Sequence, residues 1–385
     1  MAVEHAIIAG AGIAGLSAAL SFAKAGIPSD IYEKAPHLTE VGAGLQIAPN
    51  ASHILSTLGV LADLESVWNE PERIDLLSGI RLKRLASVPV GPYARNRWGA
   101  PYGVLHRATL QKALLAAVLR EPACRLHLDT MIDPVASAPA AGDGRPQLVV
   151  GADGVWSRMR AVVPSCPIPA FSGNIAWRFT IPGADAPSFL DLSAVSAFLG
   201  PDAHIVAYPL TEIGGFNVVA ITAGNSPGET WDASAGDVRL DLLLRRFSGW
   251  HADIRKMLEA ANEPRFWPLY QASDGHWHNG VDTVLIGDAA HAMMPFAAQG
   301  AAMAIEDAFE LARFAGGAMP LPAALEAFEA KRKPRIDRAR KQAAFNRFAY
   351  HASGPVRIAR DVVLSMRSPQ SLSDSFDWLY GYRAA

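Results

Sequence analysis

Gly10, Gly12 and Gly15 stand in G-x-G-x-x-G spacing between an apolar run, Ala6-Ile7-Ile8-Ala9, and an alanine-rich stretch reaching Ala25. A turn of this kind receives a dinucleotide. Gly10 permits the tight bend, Gly12 lets the backbone approach a pyrophosphate at a helix N-terminus, and Gly15 lets helix and strand pack closely. Glu33 follows Asp30-Ile31-Tyr32, where a carboxylate accepts both hydroxyls of an unphosphorylated ribose. Two later junctions of apolar strand and small-residue turn also carry carboxylates. They are Gly151-Ala152-Asp153-Gly154 and Gly287-Asp288-Ala289-Ala290-His291. His204 and Tyr208 lie in an alternating stretch and, with Val206, point to one strand face that is a candidate pocket lining. Histidine titrates near neutral pH and can move a proton, but a strand histidine is also commonly a satisfied structural residue.

The elements that position these residues read in order. Strand, glycine turn, helix and second strand open the chain, with Gly26 and Pro28 stopping the helix. The glycines of Val41-Gly42-Ala43-Gly44-Leu45-Gln46-Ile47 suggest backbone passing close to something flat, a cofactor ring being one candidate. Ile54, Leu55, Leu58 and Leu61 have helical spacing broken at Gly59, and Arg73 to Val90 alternates like strands. A helix is predicted from Thr109 to Arg120, with Thr109 as its cap and Arg107 just before it. That arginine is either a solvated charge or a contact to cofactor phosphate or ribose. Arg125 to Ile132 reads as a strand, and Phe171 to Phe216 as an antiparallel sheet inserted between the halves of the nucleotide-binding unit. Gly300 opens a helix through Arg313 whose N-terminal amides can stabilise an anionic ring. Pro322 to Tyr350 is predicted helical, its basic run from Lys331 being a solvated face with Pro334 at a kink or start. Phe376-Asp377-Trp378-Leu379-Tyr380 reads as an aromatic anchor packed on the body.

Composition narrows the classes. The 385 residues are 50% hydrophobic and 19% charged with a formal charge of −2, an ordinary globular balance with no sign of a nucleic-acid or anionic-membrane partner. Cys124 and Cys166 are too few for a disulfide framework or a cysteine metal site, and no metal is expected. No apolar run approaches the roughly 18 residues of a membrane span, and the glycine turn comes too early for a signal peptide. A cytoplasmic protein, monomeric or homodimeric, acting on a small molecule is the expectation.

The three junctions in this order resemble the single-component FAD-dependent aromatic hydroxylases, in particular the salicylate hydroxylase, 3-hydroxybenzoate 6-hydroxylase and 6-hydroxynicotinate monooxygenase branch. The likeness spans almost the whole chain, including Val104-Leu105-His106-Arg107, Ile305-Glu306-Asp307-Ala308 and Asp377-Trp378-Leu379-Tyr380. It implies an α/β fold: a Rossmann-like FAD-binding domain (1–70, 100–170 and 280–320), an inserted β-sheet substrate domain (71–99 and 171–279) and a C-terminal helical region (321–385). It assigns FAD contacts to Gly10, Gly12, Ile13, Ala14, Gly15, Glu33, Lys34, Gly44, Leu45, Arg107, Asp153, Gly154, Asp288, Pro295, Gly300 and Ala301. The Asp153-Gly154 turn would serve FAD and a transient NADH or NADPH together, which accounts for a chain without a second G-x-G-x-x-G. Molecular oxygen would add to reduced flavin, and the resulting flavin hydroperoxide would hydroxylate an electron-rich phenol, hydroxybenzoate or hydroxypyridine. His204 becomes the candidate base or proton relay, and Tyr208 its partner or a substrate contact. Gln46, Pro295, Phe296 and Gln299 complete the expected substrate pocket, while His291 is expected to orient the cofactor loop.

The chain departs from the pattern in two places. Arg125 to Gly151 is short, as though a strand pair had been replaced by Ala138-Pro139-Ala140-Ala141-Gly142-Asp143-Gly144. Trp177-Arg178-Phe179-Thr180-Ile181-Pro182 resembles a flavin-halogenase signature but carries Phe179 in place of its second tryptophan. A flavin oxidase or epoxidase on a non-aromatic substrate, and a silent flavin-binding ligand sensor, are the alternatives to the hydroxylase.

Overall fold

Burial of Ala6, Ile8 and Ala9 makes β1 (His5–Ala9) the central strand of a parallel sheet in the computed structural model, which describes residues 3–38, 44–132, 134, 147–224, 233–234, 237–261 and 264–384. After the glycine turn, α1 (Ile13–Lys24) returns the chain to β2 (Ser29–Tyr32), parallel to β1 with Ile8 opposite Ile31. β3 (Gly44–Ile47) leads to α2 (Pro49–Thr57) and α3 (Leu61–Glu65), separated at Gly59, whose φ is +74°. β4 (Arg73–Ser78), β5 (Arg84–Pro89) and α4 (Pro92–Trp98) precede β6 (Gly103–His106), which pairs with β3. α5 (Arg107–Arg120) starts at Arg107 rather than Thr109 because His106 is its cap, the ring Nδ1 accepting from the Ala108 amide at 3.3 Å. Arg107 is thus in the first turn of that helix.

β7 (Cys124–His127) is shorter than the strand expected from Arg125 to Ile132, and the Ala138-to-Gly144 stretch lies outside the described residues. β8 (Gln147–Gly151) is followed by β9 (Pro169–Pro182), β10 (Ala194–Gly200), β11 (Ala203–Leu210) and β12 (Gly215–Ala223). Then come β13 (Ala233–Ser234), α6 (Asp237–Arg246), α7 (Ala252–Glu259), β14 (Arg265–Ala272) and β15 (Thr283–Leu285). The remainder is helical: α8 (Asp288–His291), α9 (Gly300–Ala315), α10 (Leu321–Tyr350), α11 (Gly354–Met366), α12 (Pro369–Asp374) and α13 (Asp377–Tyr380). No helix among the described residues is long and apolar enough to cross a membrane.

The parallel sheet runs β15-β8-β1-β2-β7, so strand order diverges at β1 and opens a crevice above its carboxyl end. Leu148, Val149 and Val150 are all buried, as expected for strands covered on both faces. A second sheet, β13-β14-β9-β12-β11-β10-β4-β5, is antiparallel except between β10 and β4. It combines two stretches separated in sequence by β7 and β8 of the parallel sheet. Trp177, Phe179, Phe198 and Ile205 of this sheet pack with Phe247, Trp250 and Ile254 on one face. The side chains at alternate positions are left for the opposite face.

A buried ionic network joins the helices. Glu306 and Asp307 on α9 are fully buried, as is Arg332 on α10, whose guanidinium reaches Glu306 at 2.6 Å and Asp307 at 2.8 Å. Arg335 adds a two-nitrogen contact to Glu306 and donates to the carbonyls of Trp378 and Leu379. Glu306 also accepts from Asn50 on α2 at 2.7 Å, and Asp307 accepts from the Gly287 amide at 3.0 Å and meets His291 at 2.5 Å. Arg332 and Arg335 thus depart from the solvated face that the composition of α10 suggests, while Lys331, Arg338, Lys341 and Arg347 are exposed as expected, and Pro334 sits inside a helix that continues past it. The aromatic tail packs as expected, with Tyr380 edge-on to Trp98.

Burial opposes ionisation of Glu306 and Asp307, but Arg332, with Arg335 or His291, overrides it and holds both carboxyls below their usual range. Arg332→Met leaves two buried charges short of their partner and should cost about 3–5 kcal/mol in urea unfolding of the protein. A depressed folded value contributes stability above the unfolded carboxyl range, about pH 4, and loses it as pH falls further. Unfolding midpoints of the parent should therefore drop steeply on acidification below that range, and those of Arg332→Met less so.

Candidate functional site

A cleft of about 490 Å³ runs from the glycine turn to the free face of the antiparallel sheet, within the roughly 300–1,000 Å³ usual for small-molecule sites. At the turn, Gly10 has φ +102° and its amide donates to the Tyr32 carbonyl at 2.8 Å. A Cβ on Gly15 would lie 1.9 Å from the Gly10 carbonyl oxygen, so this glycine lets helix and strand approach but does not line the cleft. Gly12 differs: a Cβ there would meet nothing within 4 Å. Gly12, Ile13 and Ala14 line the cleft at the start of α1, which has no side-chain cap, leaving helix amides available to an anion. Glu33 accepts from the Ala11 amide at 2.9 Å and the Ala35 amide at 3.0 Å, which fixes its carboxylate at the same end. Lys34 lines the wall beside it.

The middle of the cleft collects the other two junctions. Asp153, Gly154, Asp288, Pro295, Gly300 and Ala301 all line it, opposite Gly44, Leu45, Gln46 and Arg107. Asp153 Oδ2 accepts from the amides of Arg158 at 2.7 Å and Met159 at 3.2 Å, so one carboxylate oxygen folds its own turn. Arg160, buried beneath, donates to the carbonyls of Asp288, Ala289 and Val155 and locks the second and third junctions together. His291 points away from the cleft toward Asp307 and thereby holds the Gly287-Asp288 loop.

At the inner end, β11 presents His204, Val206 and Tyr208, the three residues that alternation placed on one face. Val219 and Ile221 of β12 and Arg178 of β9 continue the rows, Val206 pairing with Val219 and Val219 with Arg178. The Tyr208 ring lies against Gly44, where a Cβ would be 2.5 Å from the ring; burial pushes its hydroxyl pKa well up. His204 is buried, and that burial, with His351 beside it, pushes its pKa well below the ordinary value, leaving a neutral ring. Its Nδ1 is 2.8 Å from His351 Nε2, so Nε2 is the nitrogen left for the cleft. Gln46 accepts from the Tyr102 hydroxyl at 2.5 Å.

Two expected pocket residues stand elsewhere. Gln299 is buried with its carbonyl oxygen accepting from Asn50 at 3.1 Å, turned away from the cleft toward the ionic network. Phe296 stands behind His204, ring centres 5.0 Å apart, and supports the imidazole rather than lining the wall. Arg178 was not anticipated. Its Nε has no hydrogen-bond partner among the described residues, and its guanidinium lies 5.4 Å from the Trp267 ring. The clue was its two-residue offset from Ala176 in an alternating strand, but the sheet's pairing was needed to show which face meets the cleft.

With this geometry in hand, comparison with known proteins is informative. A family model described as an FAD binding domain matches residues 4–343. The chain is 34% identical over 389 residues to 3-hydroxybenzoate 6-hydroxylase 1 of Aquipseudomonas alcaligenes, covering 98% of each chain. It is 32% identical to 6-hydroxynicotinate 3-monooxygenase of Bordetella bronchiseptica, over 87% of this chain and 89% of that one. In fold it is similar to Klebsiella pneumoniae HpxO solved with FAD and uric acid, with a TM-score of 0.79 at 22% identity over 96% and 95% of the two chains. The open cradle at Gly12, the uncapped α1 and the fixed Glu33 carboxylate fit the ADP half of such a cofactor.

Gly12 supplies a direct check, because alanine is sterically free there in the protein alone. Gly12→Ala should keep the thermal midpoint of the flavin-free protein while weakening FAD binding about tenfold or more, about 1.4 kcal/mol by fluorescence titration.

Proposed function

The chain belongs to the FAD binding domain family and is an FAD-dependent, NAD(P)H- and oxygen-consuming monooxygenase; from that premise we propose that it hydroxylates a small ring already bearing a hydroxyl and a carboxylate, of the hydroxybenzoate or hydroxypyridine type. The carrying observation is the inner end of the cleft, where a neutral imidazole, a phenol and a half-buried guanidinium converge on apolar walls. Relatives with full-length similarity are named for 3-hydroxybenzoate and 6-hydroxynicotinate, rings that carry both substituents. Overall, substrate, oxygen, NAD(P)H and a proton give hydroxylated ring, water and NAD(P)+.

FAD bound in the cleft supplies the electron transfer from NADH or NADPH and the activation of oxygen. The chain's own residues supply position, dryness and proton control. Gly10, Gly12, Ile13, Ala14, Glu33 and Lys34 hold the adenosine and pyrophosphate end, with Gly15 allowing the turn from below. Gly44, Leu45, Arg107, Asp153, Gly154, Asp288, Pro295, Gly300 and Ala301 bound the flavin end. His204 Nε2, the ring nitrogen left for the cleft, accepts the proton of the ring hydroxyl, and Tyr208 orients that hydroxyl. Arg178, half-buried and unbonded at Nε among the described residues, suits the carboxylate through a charge-assisted hydrogen bond. Val206, Val219, Ile221 and Leu269 exclude water from the reacting ring. Cytoplasmic location and a monomeric or homodimeric assembly belong to the same reading, and fractionation and light scattering measure them.

The test follows NADH and NADPH oxidation by the FAD-loaded protein with a panel of hydroxybenzoates and hydroxypyridinecarboxylates, quantifying oxygen, peroxide and product. Stimulated oxidation with product is the expected result, whereas silence across the panel would remove the hydroxylase assignment. His204→Gln should keep stimulated flavin reduction while product formation falls about a hundredfold and peroxide takes its place. Unchanged coupling in that variant would take His204 out of the mechanism.

A further inference from the structure

Two cavities meet at a pair of histidines. His204 lines the inner end of the cleft, and His351 lines a second, more open cavity with Asn174, Asp202, Arg347 and Ser353. The rings touch through Nδ1 of His204 and Nε2 of His351 at 2.8 Å. Neither ring is free to wander. Phe296 packs against both, with ring centres 5.0 Å from His204 and 5.4 Å from His351, and Tyr350 stands 5.3 Å from His204. His351 is anchored at the end of α10, its amide donating to the Arg347 carbonyl at 3.0 Å and its carbonyl accepting from the Asp202 amide at 3.1 Å.

We propose that His351 is the second member of a proton relay that carries the substrate's hydroxyl proton from His204 to the outer cavity. The proposal rests on the reading of His204 as the acceptor of that proton. The substrate O–H bond breaks as its proton joins His204 Nε2, and the N–H on His204 Nδ1 passes its proton to His351 Nε2. His351 Nδ1 then gives its own proton to water in the outer cavity. One proton leaves the substrate, one reaches solvent, and both imidazoles end neutral in the opposite tautomer. Running the chain backward returns a proton to the ring and restores the tautomers.

Burial explains why a chain is needed. A lone His204 would have to keep the proton as an imidazolium in a water-poor pocket, which burial disfavours. His351 is also held neutral, with burial first and Arg347 second lowering its pKa to about 4, so it passes a proton on rather than storing it. The titratable and charged groups facing the pair are Arg347 and Tyr350 of α10, Asp202 between β10 and β11, and Tyr208 beyond His204 on β11. None of their side chains bridges the two rings.

The experiment uses the full FAD-loaded chain, mixed in weak buffer with an indicator dye and 3-hydroxybenzoate, or the panel compound that stimulates more strongly. Proton release is followed by stopped flow in the parent, His351→Phe, His351→Gln and His204→Gln, after FAD content and thermal midpoint are matched. His351→Phe keeps the aromatic packing and should slow release about ten- to hundredfold, and added imidazole should restore much of the rate. Wild-type release in both His351 variants alongside slow release in His204→Gln overturns the relay and leaves His204 as the base. A slowed rate that imidazole leaves unchanged assigns His351 to packing and also overturns it. Wild-type release in His204→Gln removes the base, and the relay with it.

Discussion

Two consecutive carboxylates on α9, Glu306 and Asp307, are buried together and kept ionised by Arg332 and Arg335 of α10. Burying four charged groups has a large desolvation cost, so such a network is weak evidence for stability by itself. Its value here lies in what it connects. Glu306 reaches Asn50 on α2, Asp307 holds the Gly287 amide and His291, and Arg335 reaches the carbonyls before Tyr380. A shift in any one of these elements would strand a buried charge, so the helices, the Gly287-Asp288 loop and the tail are confined to one arrangement. The cleft inherits that rigidity because Asp288, Gly300 and Ala301 line it from the same elements.

The cleft changes character along its length, in keeping with a dinucleotide at one end and a small ring at the other. Near the glycine turn it offers backbone amides, Glu33 and Lys34; near β11 it offers apolar side chains interrupted by His204, Tyr208 and Arg178. Few polar groups in an apolar setting confer orientation, since each one left without a partner is costly. Arg178 illustrates this. A guanidinium lacking a partner at Nε in such a wall favours a substrate that brings its own negative charge.

Proton handling follows from the same dryness. Water exclusion protects a reactive oxygen species but also removes the ordinary route by which a phenolic proton reaches solvent. The His204–His351 contact lies where the end of α10 and β11 abut, and the relay proposed above uses it as a route that does not open the pocket to bulk water.

Much of this protein was legible from residue type and spacing. The glycine turn, Glu33, the carboxylate junctions at Asp153 and Asp288, and the shared face of His204, Val206 and Tyr208 are local features, set by φ/ψ freedom and strand periodicity within a few residues. Other features depend on partners distant in sequence. The basic run of α10 read as a solvated face, because only the packing of α9 against α10 brings Arg332 to Glu306 and Asp307. Gln299 and Phe296, neighbours of residues that do line the cleft, turn away because the tight turn before α9 sends successive side chains in different directions. Alternation puts Arg178 on the Ala176 face of β9 but not that face against the cleft, and His351 carries no local signal, since the strand pairing of β9 with β12 and the ending of α10 beside β11 decide where they point. Sequence by itself determined the cofactor turn and the kind of chemistry; tertiary packing decided which charges are buried, which side chains line the cleft and that His204 meets His351, because these depend on partners distant in the chain.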